Sequence, residues 1–173
     1  MIKIGDKMPA FEVVDQDGKT VKSEDLLGKK TIIYFYPKDN TSGCTAEACN
    51  LRDNYEAMIA KGYNVIGVSK DSAASHKKFI EKYQLPFTLL ADTSTEMIQA
   101  FGAWGETTLY GRKYMGILRT TFVFDENGIL TEIKGGLQAG DSVIVDRVTT
   151  AVEGMAGAPR SPFMPGPRNK KKK

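Results

Sequence analysis

The run Lys30 to Tyr36, KTIIYFY, is a buried strand by its content of Thr31, Ile32, Ile33, Tyr34 and Phe35, and a polar loop leads from it into residues with helical spacing. In that second segment Ala48, Leu51, Tyr55, Met58 and Ile59 recur at threes and fours, which predicts one helix over about 44–61, stopped by Gly62. The pattern then repeats. Val65 to Ser69 reads as a second buried strand, and Ser72 to Tyr83 as a second helix opened by Asp71 or Ser72 as cap. This order suits parallel strands joined by helical crossovers, and so an α/β fold around a central sheet.

The flanking segments complete that plan. FEVVD (11–15) and the residues after Asp17-Gly18 read as an N-terminal hairpin, because Asp-Gly supplies the positive φ angles of a tight turn. A short strand is expected around Thr88 to Leu90, and Thr93-Ser94-Thr95-Glu96 reads as a capping box starting a helix to about Phe101. Thr120 to Asp125 and Ile129 to Lys134 flank Glu126-Asn127-Gly128 as an antiparallel hairpin, and a last helix is expected over about Asp141 to Gly154. Together these describe a thioredoxin-like fold: a central mixed sheet flanked by helices, with an N-terminal hairpin.

After about Gly154 the composition changes. Four of the seven prolines, Pro159, Pro162, Pro165 and Pro167, fall in the last fifteen residues beside a lysine run. The expected organisation is one domain over 1–154 and a disordered tail over 155–173. The formal charge of +3 comes from that tail: removing Arg160, Arg168 and the four terminal lysines from 24 basic residues leaves 18 against 21 acids. No nucleic-acid surface is indicated on the domain, and only weak, salt-sensitive phosphate contacts by the tail are expected. No stretch of about 18 apolar residues is available to span a membrane, and the opening MIKIGDKMPAFEVV lacks the pattern of a secretory leader. The expected setting is cytoplasmic and reducing, where a close cysteine pair is more often catalytic, redox-active or metal-binding than a structural crosslink.

The only two cysteines, Cys44 and Cys49, lie in YFYPKDNTSGCTAEACNLRDNY. Cys44 falls at the predicted helix N-terminus, where unpaired N–H groups and the helix dipole favour a thiolate. A thiol with a pKa of about 8.5 is only about 3% ionised at pH 7, whereas lowering the pKa to about 6 makes it about 90% ionised, a gain of roughly thirtyfold. Cys49, beside Ala48, is equally readable as a small core residue. A metal site needs about four ligands, and two cysteines with the single histidine, His76, do not supply it. His76, among the lysines of SHKKF, is expected on the outer face of its helix, which argues against a Cys/His catalytic pair. No cofactor is implied.

Spacing constrains the pair further. Residues i and i+5 of a helix lie about 7.5 Å apart along the axis and about 140° around it, so their Cα atoms are roughly 8.7 Å apart. A disulfide needs less than about 7 Å. If Cys44 and Cys49 are partners, the start of the helix must open before they can bond.

The run YPKDNTSGCTAEAC resembles the peroxiredoxins, thiol peroxidases whose signature places Pro37, Thr41 and Cys44 at this spacing. The second cysteine and the segment WGETTLYGRKYMGILRTTFVFDENG (104–128) resemble their bacterioferritin comigratory protein or Q-type subfamily. The similarity runs from about Met1 to Gly154. It implies that Cys44 attacks peroxide, that Thr41 hydrogen-bonds thiolate and peroxide, and that Pro37 shields the site. It further implies that Arg119 stabilises the thiolate and leaving oxygen, with the N–H groups of Gly43 and Cys44 as further donors. By the same resemblance Cys49 resolves the sulfenic acid as an intramolecular disulfide, a thioredoxin-type dithiol recycles it, and Glu47 lies near the site. The substrates implied are hydrogen peroxide and small organic hydroperoxides.

By residue chemistry alone, Pro37 could end a strand, Thr41 could cap the helix, and Arg119 could be an ordinary surface or ion-paired arginine. Trp104 reads as packing. Ser42 stands where the subfamily usually has proline, and LQAGDS lacks a histidine common among relatives. A thiol-disulfide oxidoreductase is a competing reading, although Cys-x-x-Cys is absent. A holdase or nucleic-acid-associated binding module using the tail is another.

Overall fold

The structure is a computed structural model, and it describes residues 1–131. The hairpin comes first, β1 (Glu12–Asp15) and β2 (Thr20–Lys22), with Val13 opposite Val21. The Asp15 carboxylate accepts from the N–H groups of Asp17 and Lys19, and Gly18 takes a φ of +78°, so the turn closes as Asp-Gly foretold. A single 3-10 turn, Ser23–Leu26, leads to β3 (Lys30–Phe35). Then come α1 (Ser42–Asp53), α2 (Tyr55–Ala60), β4 (Tyr63–Ser69), α3 (Ala73–Tyr83), β5 (Thr88–Ala91), α4 (Glu96–Ala100), β6 (Trp104–Leu109), β7 (Arg112–Ile117) and β8 (Thr120–Phe124).

Six strands form one mixed sheet in the order β2-β1-β5-β4-β3-β8. β3, β4 and β5 are parallel, while β8 and β1 pair antiparallel at the two sides of that trio. The thioredoxin-like expectation of a central mixed sheet flanked by helices therefore holds. Alternation along β3 shows why its sequence is apolar throughout. Ile33 and Phe35 join Ile66, Val68, Phe101, Phe122 and Phe124 on one face, while Ile32 and Tyr34 join Ala48, Leu51, Met58 and Phe79 on the other.

Close packing across the central strands dictates one glycine. Tyr34, Gly67 and Leu89 are register neighbours, and a Cβ at Gly67 would lie 2.6 Å from Leu89 Cδ2 and 2.8 Å from the Tyr34 ring. Gly67→Ala is expected to cost about 1–3 kcal/mol of stability by overpacking. Urea unfolding measures it, and a midpoint equal to that of the parent would contradict the assignment.

Several expectations are corrected. The single helix over 44–61 is two: the Asn54 side chain donates to the Asn50 carbonyl at 2.9 Å, and the backbone turns there (φ −103°, ψ 4°) before α2. A side-chain amide competing for a helical carbonyl is a known source of such interruptions. The capping box at Thr93–Glu96 does not form, because Thr95 is left-handed (φ +64°). Asp92 takes over from the end of β5, its carboxylate accepting the Ile98 N–H at 2.8 Å. The hairpin of β6 and β7, turning through Tyr110 and Gly111 with φ of +50° and +75°, was not foreseen. Beyond β8 the turn over 125–128 closes on Ile129 and Leu130 as expected. The remainder of that second arm, the helix expected over 141–154 and the tail over 155–173 lie outside the described residues.

Candidate active site

The sheet register brings the site together. β8 pairs with β3 so that Thr120 faces Phe35, which places the preceding residue, Arg119, beside the point where the chain leaves β3 for the cysteine loop. Pro37 is half-buried at that exit. The loop then passes through Asn40 (φ +59°) into α1. The first intrahelical bond runs from the Thr45 N–H to the Thr41 carbonyl at 2.8 Å. The N–H groups of Ser42, Gly43 and Cys44 are thus left outside the helix's own ladder, with the positive end of its dipole behind them.

Cys44 is 2% exposed, packed against the β3 face of the sheet, yet its sulfur has a polar partner. Arg119 Nη2 stands 3.2 Å from Cys44 Sγ, and its Nη1 pairs with the Glu47 carboxylate. Glu47 is three residues after Cys44 and so shares its face of α1, which lets one planar guanidinium span both side chains. Gly43 lies against the same guanidinium: a Cβ there would be 3.5 Å from Nη2. Burial pushes the Glu47 carboxyl above its usual range, opposed by the charge and hydrogen bond of Arg119. Burial would lower Arg119, but its bonds to Cys44 and Glu47 more than compensate and raise it. Beneath them, burial first and then the negative charges of Glu47, Asp39 and Cys44 drive the Tyr34 phenol well above its usual value, so it stays neutral.

Thr41 precedes α1 as its cap residue by backbone, but its hydroxyl makes no capping bond. It donates instead to the Lys38 carbonyl at 2.9 Å. Cys49 is half-buried on α1, and both cysteines are free thiols within the same unbroken helix. The helical separation that keeps them from bonding is therefore in place.

His76 corrects the expectation of an outer-face residue: it is fully buried. Its Nδ1 lies 2.8 Å from Asp39 Oδ2 and 3.3 Å from the Tyr36 hydroxyl, and its Nε2 lies 3.0 Å from the Leu90 carbonyl. The flanking Lys77 and Lys78 are exposed, but His76, Phe79, Ile80 and Tyr83 recur at three and four on the buried face of α3. That spacing was the available signal. Burial raises Asp39, yet hydrogen bonds from His76 and Tyr36 outweigh it and hold its carboxyl below the usual range. Tyr36 is raised well above the ordinary phenol value, first by burial and then by Tyr34 and Asp39. Among the described residues no group of three or more His, Cys, Asp or Glu is placed to hold a metal ion, and no helix is long and apolar enough to cross a membrane.

Comparison with known proteins decides the family. Residues 4–133 match the AhpC/TSA family. The chain is 46% identical to peroxiredoxin Bcp of Bacillus subtilis, over 75% of this chain and 82% of that protein. The chain belongs to the Bcp-type peroxiredoxins. It is therefore a thiol peroxidase, using a peroxide as oxidant and a thiol as reductant. Peroxiredoxin Bcp of Escherichia coli is 41% identical, over 76% of this chain and 85% of that one. Among solved structures, BcpB of Mycobacterium tuberculosis superposes with a TM-score of 0.67 at 32% identity, covering 75% of this chain and 83% of that chain. Peroxiredoxin Q of Xanthomonas campestris gives 0.67 at 30% identity, covering 74% and 81%.

Proposed function

We propose that Cys44 is the peroxidatic residue of this peroxiredoxin and Cys49 the resolving one. The observation that carries the assignment is the guanidinium of Arg119, 3.2 Å from a sulfur already seated at a helix N-terminus. A cation and open N–H donors there favour the thiolate and prepare a site for a second anion, the departing oxygen. In the first step a lone pair of the Cys44 thiolate forms an S–O bond as the peroxide O–O bond breaks. The leaving oxygen takes a proton and departs as water or an alcohol, and Cys44 remains as a sulfenic acid.

Arg119 and the N–H groups of Gly43 and Cys44 bear the charge that moves to the leaving oxygen. Pro37 limits water at the sulfur. Thr41 serves by turning its hydroxyl from the Lys38 carbonyl, to which it donates in the resting structure, towards sulfur and peroxide. Glu47 orients Arg119 and is not itself a reacting group. In the second step the Cys49 thiol attacks the sulfenic sulfur, expelling water and forming the disulfide, after the start of α1 has opened. A dithiol of the thioredoxin type then returns both cysteines to thiols by exchange.

Hydrogen peroxide and small organic hydroperoxides are the substrate class. The work on the Xanthomonas campestris bacterioferritin comigratory protein concerns alkyl peroxide reduction, and the partly apolar surroundings of Cys44 suit an alkyl group. The test is peroxide consumption with thioredoxin and its reductase, alongside dimedone trapping of oxidised protein. Turnover with a single dimedone adduct on Cys44 is expected. Absence of both turnover and adduct would reject the assignment.

A further inference from the structure

The buried network around His76 has no part in the chemistry above, yet it grips the loop that delivers Cys44. Leu90 offers only a carbonyl, so Nε2 of His76 must carry a proton. Nδ1 faces a carboxylate oxygen of Asp39 at 2.8 Å. That carboxylate already accepts from the Tyr36 hydroxyl at 2.6 Å and the Ser75 hydroxyl at 2.8 Å. The Asp39 carboxylate thus touches three polar side chains, His76, Tyr36 and Ser75. The backbone N–H of Asp39 in turn donates to Asp71 Oδ2 at 2.8 Å, an oxygen that also accepts from Ser69 Oγ. The titratable groups at the centre of the network are Asp39 from the loop, Asp71 from the β4–α3 connection and His76 from α3.

Asp39 lies midway between Pro37 and Thr41, and the next residue, Asn40, adopts a left-handed φ of +59°. A side chain held by three polar partners and a main chain held by one acceptor fix the loop at one residue, immediately before the strained turn that sets the entry of α1. On the far side, Arg119 holds Cys44 and Glu47. The sulfur is therefore positioned from two directions.

Building on the reading of Cys44 as the peroxidatic residue, we infer that His76 is a positioning residue of the peroxidase reaction: held between Asp39 and the Leu90 carbonyl, it moors the Pro37–Cys44 loop to α3 and so fixes the sulfur relative to Arg119. The mooring acts on the first oxidation, which needs a precise approach, and not on the disulfide step, which needs the start of α1 released.

The chain has one histidine, so labelling it with nitrogen-15 gives one unambiguous pair of ring signals. Both ring nitrogens are expected to report hydrogen bonds, Nδ1 with Asp39 and Nε2 with the Leu90 carbonyl, and a ring nitrogen free of the Asp39 contact overturns the inference. In stopped-flow mixing with hydrogen peroxide, His76→Gln is expected to slow oxidation of Cys44 by about tenfold, with the following disulfide step not slowed. Asp71→Ala removes the acceptor shared by the loop N–H and the Ser69 hydroxyl, at a half-buried position, and is expected to slow oxidation by about threefold. This variant keeps the test open if His76→Gln does not fold. Oxidation rates within twofold of the parent in Asp71→Ala, or both steps falling in proportion to lost folded protein, overturn the inference. An inert parent protein would instead remove the peroxidatic assignment on which this rests, whereas a reactive parent with unaffected variants removes the mooring alone.

Discussion

Replacing Arg119 by methionine is expected to slow oxidation of Cys44 by about a hundredfold to a thousandfold, the loss typical when one preorganised donor to a developing oxyanion is removed. The size of the effect follows from geometry. The guanidinium meets Cys44 Sγ at 3.2 Å and simultaneously pairs with Glu47. Methionine fills a similar volume but supplies neither charge nor donor. It also strands the Glu47 carboxylate, which is 4% exposed, without its cation, so burial then drives the carboxyl further up and towards its neutral form. Arg119→Lys should recover only part of the rate, because an ammonium is a compact charge that cannot span both partners as a planar fork does. Stopped-flow oxidation at pH 7 with a thermal melt of each variant separates chemistry from stability. A methionine variant that folds normally and reacts within threefold of the parent would show that the contact with Cys44 is incidental.

Cys49→Ser is expected to divide the reaction. The variant should consume one equivalent of peroxide per chain as fast as the parent and then stop, since the sequence holds no other cysteine to resolve the sulfenic acid. Cys44 stays within its intact helix in this variant, and nothing that touches its sulfur has changed. Intact mass should show one added oxygen, and thioredoxin-coupled turnover should fall to background. Continued turnover at the parent rate would mean that the reductant, or a second chain, attacks the sulfenic acid directly and that Cys49 has another purpose.

The central strands were legible because a sheet covered on both faces demands unbroken apolar runs, and KTIIYFY and NVIGVS are such runs. The hairpin of β6 and β7 was not, since Glu106, Thr108, Lys113 and Tyr114 are exposed and no inward-facing alternation survives among them. Cys44 announced itself through local order, a strand, a polar loop and a helix start. Arg119 could not do so. Its place depends on the antiparallel register of β8 with β3, a contact between residues more than eighty positions apart, and only family resemblance singled it out. The error at His76 was different in kind. Its immediate neighbours are lysines, but the spacing to Phe79, Ile80 and Tyr83 was legible and pointed inward. Its partners, Tyr36, Asp39 and Leu90, come from three other segments that no local pattern connects.

Arg119 is anchored at the entry to β8, whereas both side chains it grips ride on α1. In the proposed disulfide step, where the first turn of that helix peels away, the guanidinium would stay behind beside β8 and the sulfur would travel without its counter-ion. On that mechanism, reactivity toward oxidant and access to the second thiol would never be granted to the same sulfur at the same instant. On the proposed mechanism the catalyst would alternate between an armed posture and a bonding one, and the frequency of that alternation would limit how often an already oxidised sulfur meets another peroxide.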